Sequence, residues 1–206
     1  MKKILLINGH EPFKKAQGKL NQNFFKHMEV VLKNFEIEKT VVTEGYCVEK
    51  EIEKFKWMDA VIVQTPIYWF SVPGLFKTYI DTVFFFLEGA FFEKAKKFGH
   101  GGLLTGKQYL FSTTWGANEA VFNRKSSFLE GKSVDDVLFP LHKTFQYCGM
   151  DALPSFSVFN AMRNQHIQNT LEDLSIHLNH HINQSKEKST FTKELAQIAK
   201  GMLPYH

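Results

Sequence analysis

Apolar positions along this chain follow two alternating patterns. Short, nearly unbroken apolar runs occur at Lys3 to Ile7, Ala60 to Gln64, Tyr109 to Ser112 and Leu153 to Phe159, with a weaker one at Ile37 to Val42. Runs of this kind predict strands covered on both faces, as in a parallel sheet. Between them, apolar residues recur at helical spacing: Leu20, Phe24, Met28, Val31 and Phe35, then Phe76, Ile80, Val83 and Leu87, then Ile167, Leu171, Leu174, Leu178 and Ile182. Residues 49–57 fit a short helix. A further helix is expected over Val134 to Cys148, with Gly149 as its stop and Pro140 demanding a kink or a late start. Pro73 suits a first helical position, with Ser71 as the nearby N-cap. Residues 88–106 read as irregular.

The resulting order is βαβαβαβαβα. Right-handed crossovers then give a doubly wound, five-stranded parallel sheet with helices on both faces, and the common order for five strands is 2-1-3-4-5. Past Gln184 the chain turns polar before a short helical pattern from Leu195 to Met202. The expected organisation is one α/β domain over residues 1–183, followed by a linker and an appended C-terminal helix over 184–206.

Composition removes several classes of function. A net charge of +4 with scattered lysines forms no basic block, so nucleic acid is not an expected partner. No apolar stretch nears the length of a membrane span, so membrane insertion is not expected either. The opening MKKILLING ends its apolar run too soon for a signal peptide. Cys47 and Cys148, without a CxxC, argue against a disulfide framework or a zinc site and for a reducing, cytoplasmic setting.

In such sheets ligands bind beyond the carboxyl ends of the strands, at the switch in strand order. Three loops emerge there. The first opens a helix with Ala16, Gln17, Gly18, Lys19, Leu20, Asn21, Gln22 and Asn23. Helix N-termini favour phosphate, Gly18 permits close approach, and Gln17 and Asn21 carry donors. Neither a Walker A sequence nor GxGxxG is present. The second loop holds Pro66, Ile67, Tyr68, Trp69 and Phe70, three consecutive aromatics where loops are normally polar. It suits a flat π-ligand such as an isoalloxazine ring, with a core or interface patch as the lesser alternative. The third holds Thr113, Thr114, Trp115, Gly116 and Ala117, small residues beside a tryptophan. His142 lies on the apolar side of its helix, either as a satisfied core histidine or as a donor in a substrate pocket. Asp135 and Asp136 suit a helix start. No G-x-S-x-G elbow is present.

The segments INGHEPFKKAQGKLN, QTPIYWFSVPGLFKTYIDTVF, FGHGGLLTGKQYLFSTTWGA and LFPLHKTFQYCGM, in this order, resemble the NAD(P)H:quinone reductases of the modulator-of-drug-activity-B type, bacterial relatives of DT-diaphorase. The resemblance spans about residues 1–182. It implies a flavodoxin-like fold, non-covalent FAD in preference to FMN, a homodimer with the site at the subunit boundary, and NADPH or NADH as co-substrate. The implied reaction is two-electron, ping-pong hydride transfer through FAD to quinones, with a role in protection against oxidative stress. Carried over by position, the FAD contacts fall on Ala16 to Asn23, Ile67 to Phe70 and Thr114 to Ala117. Phe98 stands where relatives can have a flavin-contacting tyrosine, keeping the ring without the hydroxyl. The cofactor carries such chemistry, so no protein nucleophile is expected. Two other functions fit the same fold: a flavin-binding electron carrier, disfavoured by the mildly basic charge, and a reductase of nitro or azo compounds.

Overall fold

The computed structural model describes residues 2–14, 16–85, 89–163 and 167–182. The strands are β1 (Lys3–Asn8), β2 (Glu36–Val41), β3 (Ala60–Pro66), β4 (Gln108–Thr114), β5 (Asp151–Ala152) and β6 (Phe156–Val158). The helices are α1 (Lys19–Val31), α2 (Val48–Trp57), α3 (Gly74–Phe85), α4 (Val134–Val137), α5 (Phe139–Tyr147) and α6 (167–182). All strand pairs among the described residues are parallel, in the order β2-β1-β3-β4-β5, with β6 also paired to β4. The expected linker and helix of 184–206 lie outside the described residues. Among the described residues no helix is long and apolar enough to cross a membrane.

Alternating residues of the central strands feed two cores. Ile4, Leu6, Ile62 and Leu110 meet Phe24, Phe25 and Met28 of α1 and Leu174, Leu178 and Ile182 of α6. Leu5, Ile7, Val61, Val63 and Phe111 face α2, α3 and α5 through Phe55, Phe76, Ile80 and Phe145. This two-sided burial explains the unbroken apolar runs.

Three departures from the sequence expectation have local causes. The fifth strand is split into β5 and β6 around Pro154, which has no N–H to offer the ladder. The helix before Gly149 is broken at Leu138, giving α4 and α5 with Pro140 in the first turn of α5, where its missing N–H costs nothing. Gly149 (φ 91°) closes α5: its N–H donates to the Gln146 carbonyl and that of Met150 to the Phe145 carbonyl. Finally, α3 begins at Gly74, so Pro73 precedes the helix and accepts its first hydrogen bond, from the Lys77 N–H. Ser71 does not cap it. The Glu11 carboxylate does so from another loop, accepting from the Leu75 N–H at 2.9 Å.

At the carboxyl ends of β1, β3 and β4, three neighbours in register are polar and buried: Asn8, Gln64 and Ser112. Their side chains form one relay with α1. Ser112 Oγ donates to Gln64 Oε1 (2.7 Å), Gln64 Nε2 to Asn21 Oδ1 (2.9 Å), Asn21 Nδ2 to Asn8 Oδ1 (2.8 Å) and Asn8 Nδ2 to Gln22 Oε1 (3.0 Å). The relay ties the start of α1 to three strands. Gln64→Leu removes its middle and leaves Asn21 Oδ1 without its donor and Ser112 Oγ without its acceptor. A loss of about 2 kcal/mol or more in urea unfolding is expected, from about 1–3 kcal/mol per unpaired buried group.

Candidate functional site

The three loops read from the sequence meet at the carboxyl edge of the sheet. Glu11 joins the first to the second: its carboxylate holds the start of α3, and its carbonyl accepts from the Tyr68 hydroxyl at 3.0 Å. Phe13 packs edge-on against Tyr68, with centroids 5.3 Å apart. The Ile67 N–H donates to the Thr114 carbonyl, joining the second loop to the third.

The second loop turns sharply. Tyr68 and Ser71 exchange both backbone hydrogen bonds, at 2.8 and 3.1 Å, and the two residues between them have positive φ, Trp69 at 51° and Phe70 at 66°. A turn with this geometry normally recruits glycine and asparagine. Here it carries two bulky aromatics, each at a cost of about 1–2 kcal/mol in backbone energy. At Trp69, which is 93% exposed, packing does not repay this; Phe70, 47% exposed, is partly covered. Among the described residues, neither N–H of the turn donates to another group. Backbone strain with no packing return is a feature of ligand-binding segments.

The start of α1 is open. Gly18 (φ 74°) precedes it, no side chain caps it and its first turn holds no acid. Its leading N–H groups therefore present partial positive charge at this edge. The His10 ring packs on Gly18 so closely that a Cβ there would lie 2.2 Å from it, and His10 Nε2 sits 3.2 Å from the Ala16 carbonyl. Sequence reasoning passed over His10. Its signal was present, an imidazole two residues past a strand end, but nothing in the sequence showed the loop folding back onto Gly18.

The candidate residues divide by where they point. Gln17, Lys19 and Asn23 are exposed, and Ala16 and Leu20 are half-buried. The Gln17 amide closes its own loop onto the carbonyls of Phe13 and Lys14. Asn21 and Gln22 belong to the buried relay, so the expected Asn21 side-chain donor faces the sheet, with only its backbone toward the edge. Pro66, Ile67 and Thr114 are buried, whereas Gly116 and Ala117 are exposed. The Trp115 ring is 3% exposed, packs on Phe122 and donates from Nε1 to Thr113 Oγ1. Its indole is therefore packed in the core.

Two candidates lie elsewhere. Phe98 is 89% exposed and packs on Tyr147 of α5, by the loop that docks on Cys148 and leads into the opposite end of β4. Within one chain it does not join the three loops. His142 is buried with both ring nitrogens engaged, Nδ1 with the Tyr109 hydroxyl (2.9 Å) and Nε2 with Asp135 Oδ1 (3.1 Å). Tyr109 lies near the start of β4, so His142 sits in the core with both ring nitrogens satisfied within the chain. Asp136, by contrast, forms the expected helix start, in a capping box with Ser133.

The strand order, and the gathering of all three loops at the carboxyl edge, define a doubly wound α/β protein with these loops grouped at the topological switch, where such folds bind ligands. A family model described as "Flavodoxin-like fold" matches residues 2–178, and the chain belongs to this family. Over 185 residues it is 36% identical to the NADPH:quinone oxidoreductase MdaB of Haemophilus influenzae, covering 85% of this chain and 96% of the relative. It is 35% identical over 188 residues to an uncharacterized protein of Schizosaccharomyces pombe, covering 86% and 95%. Among solved structures, it resembles an NADPH-quinone reductase from P. pentosaceus (TM-score 0.62, 22% identity, 85% of this chain and 96% of the other). It also resembles general stress protein 14 from Treponema denticola, solved with FMN (TM-score 0.65, 23% identity, 84% and 95%).

Two outcomes follow from this geometry. Trp69→Gly relieves the left-handed backbone and forfeits almost no burial, so urea unfolding is expected to show unchanged or slightly raised stability, by up to about 1 kcal/mol. The hydrogen bond from His142 holds the Asp135 carboxyl below its ordinary value. A depressed carboxyl stabilises the fold above its unfolded pKa of about 4, and that contribution is lost as pH falls through the lower folded value. NMR titration should place Asp135 below the usual aspartate range, and His142→Phe should move it upward.

Proposed function

We propose that this chain is a flavin-dependent NAD(P)H:quinone oxidoreductase, with the flavin held at the carboxyl edge of the sheet. The observation that carries this reading is the Trp69–Phe70 turn, with its exposed aromatics and unused N–H groups, at the same sheet edge as the uncapped start of α1 and joined to that loop through Tyr68 and Glu11. The relationship to MdaB supports the substrate class.

The residues fit such a group. The open N–H groups of α1 behind Gly18, with His10 against them, suit the cofactor's phosphates. The N–H groups of Trp69 and Phe70 suit the polar rim of its ring. Gly116 and Ala117, exposed and small, leave room for close backbone approach. A bound flavin supplies the hydride chemistry. The chain would position the ring and keep one aromatic face for the second reactant, with the chemistry left to the cofactor. Overall, NAD(P)H gives up a hydride, and a quinone gains two electrons and two protons, one of them from solvent.

The sequence resemblance favours FAD over FMN. It also favours a homodimer, which suits an aromatic strip with Phe85 and Phe98 exposed at its ends and Phe92 and Tyr147 half-buried between them: a second copy could bring Phe98 to the neighbouring edge. We place the protein in the cytoplasm, in keeping with its free thiols at Cys47 and Cys148, with residues 1–183 as the flavin domain and 184–206 as an appendage.

Purified protein should be yellow, release a flavin identified by mass, and oxidise NADPH or NADH with a naphthoquinone along parallel double-reciprocal lines. Trp69→Gly should lower flavin affinity at least tenfold while sedimentation shows an unchanged oligomer. Colourless protein that takes up neither FAD nor FMN sinks the proposal.

A further inference from the structure

The segment between Ala117 and Ser133 folds back over the aromatic turn. Phe128, at its far point, stacks on Phe70 with centroids 5.9 Å apart and rings 29° from parallel. Phe128 is 82% exposed, so the stack leaves most of its ring open. Nor does Phe128 anchor its segment. Phe122 does so from within the core, packed on Trp115 and Phe159, and Leu129 packs on the same core. The segment is further closed by its own hydrogen bonds: Asn123 N–H to the Lys132 carbonyl, Lys132 N–H to the Leu129 carbonyl, and Ser127 Oγ to the carbonyls of Val121 and Arg124. A well-braced loop thus holds one solvent-facing aromatic against the aromatic turn.

We propose that Phe128 is a specificity-determining residue that, with Phe70, forms an aromatic clamp for the flat ring of the electron acceptor. This rests on the proposed quinone reductase activity and adds a residue to it. A stiff loop presenting an exposed ring has met its ordering cost before the acceptor arrives, so stacking on that ring converts directly into affinity. The clamp recognises fused or extended planar rings. An acceptor without a ring gains nothing from it.

The test uses flavin-loaded wild type, Phe128→Ala and Phe128→Trp, each checked for flavin content. Acceptors are 2-methyl-1,4-naphthoquinone and ferricyanide, the latter an anion with no ring to stack. In Phe128→Ala the KM for the naphthoquinone rises roughly three- to tenfold, the range a lost aromatic stack gives. Its Kd, read from quenching of tryptophan fluorescence, rises by the same factor. Phe128→Trp restores both, and the ferricyanide KM stays at the wild-type value throughout. An unchanged naphthoquinone KM and Kd in Phe128→Ala overturns the clamp while leaving the reductase reading intact. An equal shift for both acceptors also overturns it, as a general disturbance of the edge. Wild-type protein that binds no flavin, or reduces no quinone, overturns both.

Discussion

The relay from Ser112 through Gln64, Asn21 and Asn8 to Gln22 crosses three strands and ends in a helix, and the geometry of the ligand edge depends on it. Each member is an amide or hydroxyl at a depth where an unpaired group costs about 1–3 kcal/mol. Only one arrangement of the three strand ends and α1 satisfies them together. Apolar packing beneath them drives collapse but tolerates small slips, whereas directional bonds do not. The same bonds aim the uncapped N-terminus of α1 across the edge and bring its loop toward the turn after β3.

Around this frame the edge is assembled by contacts between loops. Glu11 caps α3 from the first loop, Tyr68 answers by bonding the Glu11 carbonyl, and Thr114 receives the N–H of Ile67. These ties fix both ends of the Trp69–Phe70 turn and so impose its left-handed backbone on residues poorly suited to it. Such strain persists only when the surroundings over-determine it. Here they do, and exposed aromatic faces and unused amides are left where a planar ligand would meet them.

Much of the architecture was legible in the sequence, because two-sided burial leaves a periodic trace: the parallel sheet, the helical faces and the three loops follow from apolar spacing, and the strand order from the common winding of five-stranded sheets. The strand ends were less legible for the same reason. The predicted runs stop at Gln64 and Ser112, yet β3 and β4 run on to Pro66 and Thr114, with the Gln64 and Ser112 side chains buried in the relay. Trp115 falls among the flavin contacts that the resemblance implies, although its indole turns into the core and bonds Thr113. His142 stood open between core and pocket until Tyr109 and Asp135 were seen to occupy both its nitrogens.

Local sequence determined which segments are strands, which helix faces are apolar, and that aromatics crowd the loop after the third strand. These depend on neighbours a few residues apart, and periodicity records them. Only the tertiary structure decided that Glu11 caps α3, that His10 closes on Gly18, that Phe98 leaves the edge and that Phe128 joins it. Each of these partnerships links residues distant in sequence through side-chain direction and loop path, and neither leaves a periodic mark on the chain.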